Sequence, residues 1–170
     1  MAERISLAVP SLHARSLDLA TNGHPNKLPF SGVLAKLDQP SDAAPSGSRG
    51  KRIVLTKKAA EAALDSLLGM AVDFTPELDG HDPQAKIGVI TGAEIRGHDL
   101  CIEGFLYAAD FPVVITGIKT NKPKLGFSFE ARDLLTTDPN ADPVSIAACV
   151  CTGAAILFKD KAAYRTTSLC

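Results

Sequence analysis

The chain has 170 residues, 45% apolar and 22% charged, the scale of one globular domain with a sizeable core. A net charge of −1, 5% aromatic residues and no tryptophan exclude a nucleic-acid groove built from cations and stacking platforms. No apolar run nears the ~20 residues of a membrane span, and the first residues lack the long apolar stretch of a secretion signal, so the expected setting is the cytoplasm, with neither nucleic acid nor membrane as a partner.

Residues 1–27 hold no sustained period and include Pro10, His13 and the turn-forming run Asn22-Gly23-His24-Pro25-Asn26. They read as an N-terminal arm, an edge strand at most. Residues 28–170 form the main domain. Residues 28–37 have the apolar, glycine-containing character of a first strand, and 38–50, rich in Pro, Ser, Ala and Gly, read as a mobile loop. Residues 52–56 read as a buried strand. From 57 to 70 the apolar positions Ala60, Ala63, Leu64, Leu67 and Leu68 recur at helical spacing, with Thr56 as N-cap and Gly69 near the C-terminal end.

Beyond this helix the spacing predicts strands over 71–74, 85–91, 100–108, 125–132 and 144–157. Turn chemistry separates them at Asp79-Gly80, Arg96-Gly97-His98-Asp99 and Thr137-Asp138-Pro139-Asn140. Asp110-Phe111-Pro112 predicts a short helix, although Val113-Val114-Ile115-Thr116 prefers strand. Residues 160–167 read as a terminal helix capped by Asp160. The whole is mainly β with helices (α+β): a single, mainly antiparallel barrel.

Four cysteines, Cys101, Cys149, Cys151 and Cys170, lack metal-finger spacing. Cys149 and Cys151 share one side of a strand, but no second Cys or His pair completes a tetrahedral set, so they read as reduced, buried small residues.

Two segments carry potential chemistry: Gly80-His81-Asp82 and Leu125-Gly126-Phe127-Ser128-Phe129-Glu130-Ala131. A serine hydroxyl becomes a useful nucleophile when an imidazole accepts its proton as the new bond forms. Taken locally, Ser128 reads as a small strand residue and His81 as a loop histidine beside a carboxylate. Alternation along the strand puts Ser128, Glu130 and Arg132 on one side and Phe127, Phe129 and Ala131 on the other.

These segments lie in a longer ordered series. It runs from Phe30-Ser31-Gly32-Val33-Leu34 through Gly80-His81-Asp82-Pro83-Gln84-Ala85-Lys86-Ile87-Gly88 and Leu125-Gly126-Phe127-Ser128-Phe129-Glu130 to Thr152-Gly153-Ala154-Ala155-Ile156-Leu157. In that order the series resembles the prohead maturation serine proteases of tailed bacteriophages, which share a fold with the herpesvirus capsid protease assemblin. The likeness covers about residues 28 to 168. It implies an assemblin-like barrel, with His81 as general base and Ser128 as nucleophile. It also implies scaffold protein and major capsid protein as substrates, cut inside the immature head in the host cytoplasm, and no metal or organic cofactor. Self-processing is common among such proteases, so the arm is a candidate leader. Assemblin relatives are switched on by dimerisation, which makes a homodimer an expectation.

The third member of a triad is not legible. Assemblin uses a second histidine and phage relatives an acid, yet this chain has no histidine after His98 and no acid over 147–152. By elimination the candidates are Asp82, Asp138, Asp142 and Asp160, each of which also reads as a turn or helix cap. Arg132, Lys159, Lys161 and Arg165 are available cations for an oxyanion, and none is assigned. The missing acid supports an alternative: a catalytically inactive assembly or scaffold-associated head protein of the same fold. A small cytosolic binding module unrelated to phage is a third reading.

Overall fold

The computed structural model describes residues 23–170; residues 1–22, which include His13 and most of the arm, lie outside the described residues. Among the described residues, eight strands and two helices follow in chain order: β1 (Leu28–Lys36), β2 (Ile53–Leu55), α1 (Lys57–Leu67), β3 (Ala71–Asp73), β4 (Lys86–Arg96), β5 (Asp99–Leu106), α2 (Pro112–Asn121), β6 (Leu125–Thr136), β7 (Val144–Phe158) and β8 (Ser168–Leu169). A single 3-10 turn, Lys122–Lys124, links α2 to β6.

All eight strands join one curled sheet in the order β2-β7-β3-β4-β5-β1-β8, with β6 on the other edge of β7. The sheet is mixed rather than wholly antiparallel, since β2 and β3 both run parallel to β7. The reason is connectivity: β2 leads through α1 directly into β3, and both strands lie on the same edge of β7, one after the other along its length. A long strand with two short neighbours on one edge can face a third along the other, and β6 pairs antiparallel there. The curl brings β6 and β8 together. Just before β8, Thr167 Oγ1 accepts from the Phe127 N–H of β6 at 3.2 Å.

Helix α1 forms for the local reasons expected. Thr56 Oγ1 accepts from the Ala59 N–H at 3.2 Å, and Ala59, Ala60, Ala63, Leu64 and Leu67 fall on one buried face, which packs against β7. It stops at Leu68, after which Gly69 takes the left-handed conformation at φ 79°. α2 forms despite its β-branched run because Pro112 sits in the first turn and Ile115 and Ile118, one turn apart, both reach the core. Asp110 does not cap it; its carboxylate accepts from Asn26 Nδ2 at 2.7 Å instead. Inside the curl, Phe30 and Phe127 pack with ring centroids 5.6 Å apart.

The helix expected over 160–167 is absent, and turns lead into β8. A tertiary contact overrides local preference there. Tyr164 turns into the core, where its hydroxyl accepts from the Leu55 N–H at 3.2 Å and lies 3.3 Å from the Ile53 and Gln39 carbonyls. The Ala163 carbonyl meanwhile accepts from the Asp42 and Ala43 N–H groups, tying this segment to the 38–50 loop.

Burial pushes the Tyr164 phenol up to about 12, against a smaller opposing effect of the Leu55 N–H and with a smaller upward push from Asp42. A raised pKa favours the protonated fold, so this contribution is complete below the ordinary value of 10 and is lost as pH climbs from 10 towards 12. Urea unfolding across that window should show wild type losing roughly 3 kcal/mol more than Tyr164→Phe. At pH 7 the same variant should be weaker by about 1–3 kcal/mol, because the Leu55 N–H loses its acceptor.

Candidate active site

Strand β6 runs between two environments. Phe127 is fully buried in the core, Phe129 packs against it, and the alternating residues Ser128 and Glu130 are half-buried on the opposite side. Register places them relative to the neighbouring strands. Ser128 pairs with Ala155 of β7 and Glu130 with Gly153, while Ala155 pairs on its other edge with Asp73 of β3. Ser128, Ala155 and Asp73 therefore form one row across three strands.

The loop after β3 returns a histidine to this row. Thr75 and Asp79 close a turn, with the Thr75 hydroxyl donating to Asp79 Oδ1 at 2.7 Å and accepting from the Asp79 N–H at 3.0 Å. Leu78 is buried, and its carbonyl accepts from the Phe158 N–H at 2.8 Å, pinning the loop to the end of β7. Past His81, the Asp82 N–H donates to Asp73 Oδ1 at 3.1 Å. His81 is thus held between two anchors.

Its imidazole meets two carboxylates. His81 Nδ1 lies 2.9 Å from Glu130 Oε1 and 3.7 Å from Asp73 Oδ2. The closer oxygen is in ion-pairing range but out of line for a hydrogen bond, so Nδ1 and Asp73 Oδ2 are buried with neither satisfied. Asp73 is wholly buried, while the His81 and Glu130 side chains keep about a quarter of their surface, 27% and 26%. No lysine or arginine pairs with any of the three among the described residues. The three ligand atoms lie within 4.8 Å of one another, close enough to hold a metal ion as well as a proton.

Glu130 reaches the histidine because β7 has no side chain in the way. A Cβ on Gly153 would stand 3.3 Å from Glu130 Oε2 and 3.3 Å from the Ala71 carbonyl oxygen. The carboxylate crosses β7 over this glycine.

A cavity of about 750 Å³ reaches β6 at Ser128, between the 45–51 loop and the inner face of the sheet. Leu34, Ile53, Phe129, Ala131 and Tyr164 give it apolar walls, and Arg49 stands on its rim loop. The clustered His81, Glu130 and Asp73 are not among its walls. Ser128 and His81 share no hydrogen bond among the described residues, and with both carboxylates on Nδ1, the ring nitrogen Nε2 is the one left to face a hydroxyl.

The four acids drawn from the sequence are engaged elsewhere or exposed. Asp82 Oδ1 accepts from the Gln84 N–H at 3.0 Å, and Asp138 Oδ1 from the Asn140 N–H at 2.8 Å. Asp142 Oδ1 accepts from the Arg52 N–H at 3.1 Å and pairs with the Arg52 side chain, and Asp160 is exposed in the turn after β7. The carboxylates that meet His81 are Glu130 and Asp73. Each left a trace in the sequence: Glu130 shares the strand side of Ser128, and Asp73 is the lone acid in an apolar strand. Among the cations, Arg132 pairs with Asp133 and Lys159 Nζ donates to the Pro123 carbonyl. Lys161 and Arg165 are exposed. His98 lies in the β4–β5 turn beside the Leu37 carbonyl, His24 Nδ1 accepts from the Asn26 N–H, and all four cysteines are free.

No protein family model matches the chain, and no curated protein matches it. Among solved structures it is similar to the protease of KSHV in complex with a hexapeptide phosphonate inhibitor, at 10% identity and TM-score 0.47, covering 76% of this chain and 59% of that one. It is similar to the capsid assembly protease of bacteriophage T4, at 13% identity and TM-score 0.47, covering 80% of this chain and 99% of that one. A Kaposi's sarcoma herpesvirus protease in complex with an allosteric inhibitor is similar at 11% identity and TM-score 0.43, with 75% and 70% covered. No helix among the described residues is long and apolar enough to cross a membrane.

Filling the gap in β7 should break the contact it permits. Gly153→Val should move the Glu130 carboxylate off Nδ1, so that the His81 ring nitrogen shifts in long-range proton–nitrogen NMR match those of Glu130→Gln. Wild-type shifts retained in Gly153→Val would show that the glycine does not set this approach.

Proposed function

We propose that the protein is a serine endopeptidase acting by acyl transfer. Ser128 Oγ attacks a peptide carbonyl while its proton passes to His81 Nε2; the imidazolium returns that proton to the departing amine, and water repeats the sequence to release the acyl group. The Glu130 and Asp73 carboxylates beside Nδ1 stabilise the imidazolium electrostatically as it forms. The observation that carries this reading is the 2.9 Å approach of His81 Nδ1 to a carboxylate borne two residues from Ser128 on the same side of β6. Two strand residues span roughly 6–7 Å, so Ser128 and Glu130 leave β6 towards the same side, the side on which Glu130 meets the ring. Catalytic hydrogen bonds are often long without substrate and tighten on binding.

The ordered likeness of the sequence to prohead maturation proteases supports scaffold protein and major capsid protein as substrates. It also supports self-cleavage within the arm, and the interior of the immature phage head as the place of action. The absent Ser128–His81 hydrogen bond favours the second reading, an inactive head-assembly component of the same fold.

A serine-reactive phosphonate should label Ser128, as located by mass spectrometry. Ser128→Ala should fold normally yet leave co-expressed scaffold intact. His81→Ala should lower turnover by several orders of magnitude, and Glu130→Gln by about 10²–10⁴-fold with little change in KM. Scaffold cut as fast by Ser128→Ala as by wild type would decide for the inactive reading of this site, and N-terminal sequencing from mature particles that found Met1 or Ala2 would remove self-cleavage of the arm.

A further inference from the structure

We propose that Asp73, His81 and Glu130 bind a single divalent transition-metal ion of the Zn²⁺ class, and that its binding switches the histidine off as a base. The second half rests on the proposed serine mechanism; the first stands on the geometry alone.

Three features make this a built site rather than an acidic patch. The donor set is one imidazole nitrogen and two carboxylate oxygens; the imidazole suits Zn²⁺ and is a poor ligand for Mg²⁺ or Ca²⁺, which take oxygen donors. Donors at usual Zn²⁺ bond lengths in a tetrahedron stand roughly 3.3 Å apart. The two spacings from Nδ1, 2.9 and 3.7 Å, fall on either side of that value, and all three atoms are within 4.8 Å of one another. Most telling, Asp73 Oδ2 and His81 Nδ1 are buried and unsatisfied, each facing the other. A buried carboxylate oxygen with neither donor nor counter-ion is costly, and a cation between these atoms removes that cost.

The surroundings fit as well. Asp73 Oδ1 already accepts from the Asp82 N–H at 3.1 Å, which leaves Oδ2 turned to the site as a supported ligand would be. No protein cation among the described residues competes for the two carboxylates. The partial exposure of His81 and Glu130 gives an ion a way in and leaves room for a water as fourth ligand.

The consequence for catalysis follows from the ring itself. A metal on Nδ1 takes that nitrogen's lone pair, so the proton of the neutral imidazole must reside on Nε2. Nε2–H can donate but cannot accept, and Ser128 loses its base. Removing the ion returns the proton to Nδ1 and frees Nε2.

Isothermal titration of Zn²⁺ into the metal-free full chain should give one site per chain, with Mg²⁺ giving none. Asp73→Asn and Glu130→Gln should each weaken it at least tenfold and His81→Ala should abolish it, whereas Ser128→Ala should leave it unchanged. Circular dichroism of each variant checks that the fold survives; Asp73→Asn keeps the oxygen that accepts from Asp82. Absence of stoichiometric binding, or binding equally tight in all three ligand variants as at the Cys149 and Cys151 thiols, would overturn the site. Phosphonate labelling of Ser128 should slow at least tenfold on saturation with Zn²⁺ and recover with a chelator; labelling unchanged by bound Zn²⁺ would overturn the switch. Failure of metal-free protein to label at all would count against the serine mechanism, while titration still decides the metal site.

Discussion

A carboxylate with no surface in water is the constraint from which the site follows. Asp73 ends a short strand in the interior, and an ion so placed costs several kcal/mol unless donors or opposite charge surround it. The protein answers with the Asp82 N–H on one oxygen and the His81 ring beside the other. Both come from the loop that leaves β3 and returns to β4. His81 is held at this acid by its loop's anchors, the Asp82 N–H bond to Asp73 and the buried Leu78 with its carbonyl's bond from Phe158, without satisfying Oδ2. Glu130 adds a second negative charge to the same ring nitrogen. Two carboxylates facing one imidazole form a cluster short of positive charge, and both proposed chemistries grow from that shortage: an imidazolium stabilised as it forms, or a cation captured in its stead.

The sheet decides which groups can meet. β7 separates β6 from β3, and strands lie about 4.8 Å apart, so Glu130 and Asp73 start from backbones roughly 10 Å apart. Only a long side chain crossing an empty position can close that distance. Gly153 provides the position and glutamate the length. On the core side of β6, Phe127 and Phe129 fix the strand by packing, which keeps Ser128 still.

Where sequence and structure agree, the cause is local. α1 obeys its own spacing and cap, and the five later strands fall where alternation and turn residues place them, β4 and β6 running longer than expected because their ends stay paired. Where they part, the cause is long-range. The parallel pairing of β2 and β3 with β7 depends on residues about ninety positions away, and the terminal helix yields to Tyr164 because a buried hydroxyl answers the Leu55 N–H. His81 and Ser128 stood out through their segments' order. Glu130 was visible beside Ser128 as a strand neighbour, but its approach to His81 depends on Gly153 in another strand, which no local pattern encodes.

The placement of β7 also sets an order of events during synthesis. Asp73, His81, Ser128 and Glu130 all leave the ribosome before residue 144, yet nothing holds β3 against β6 until the strand between them arrives. Domains fold as their segments emerge, so the nascent chain carries each of these side chains for a time without the arrangement that joins them. Any hydrolytic capacity of this cluster is accordingly silent during translation, and it awakens only when the stretch through residue 158 has threaded into its slot.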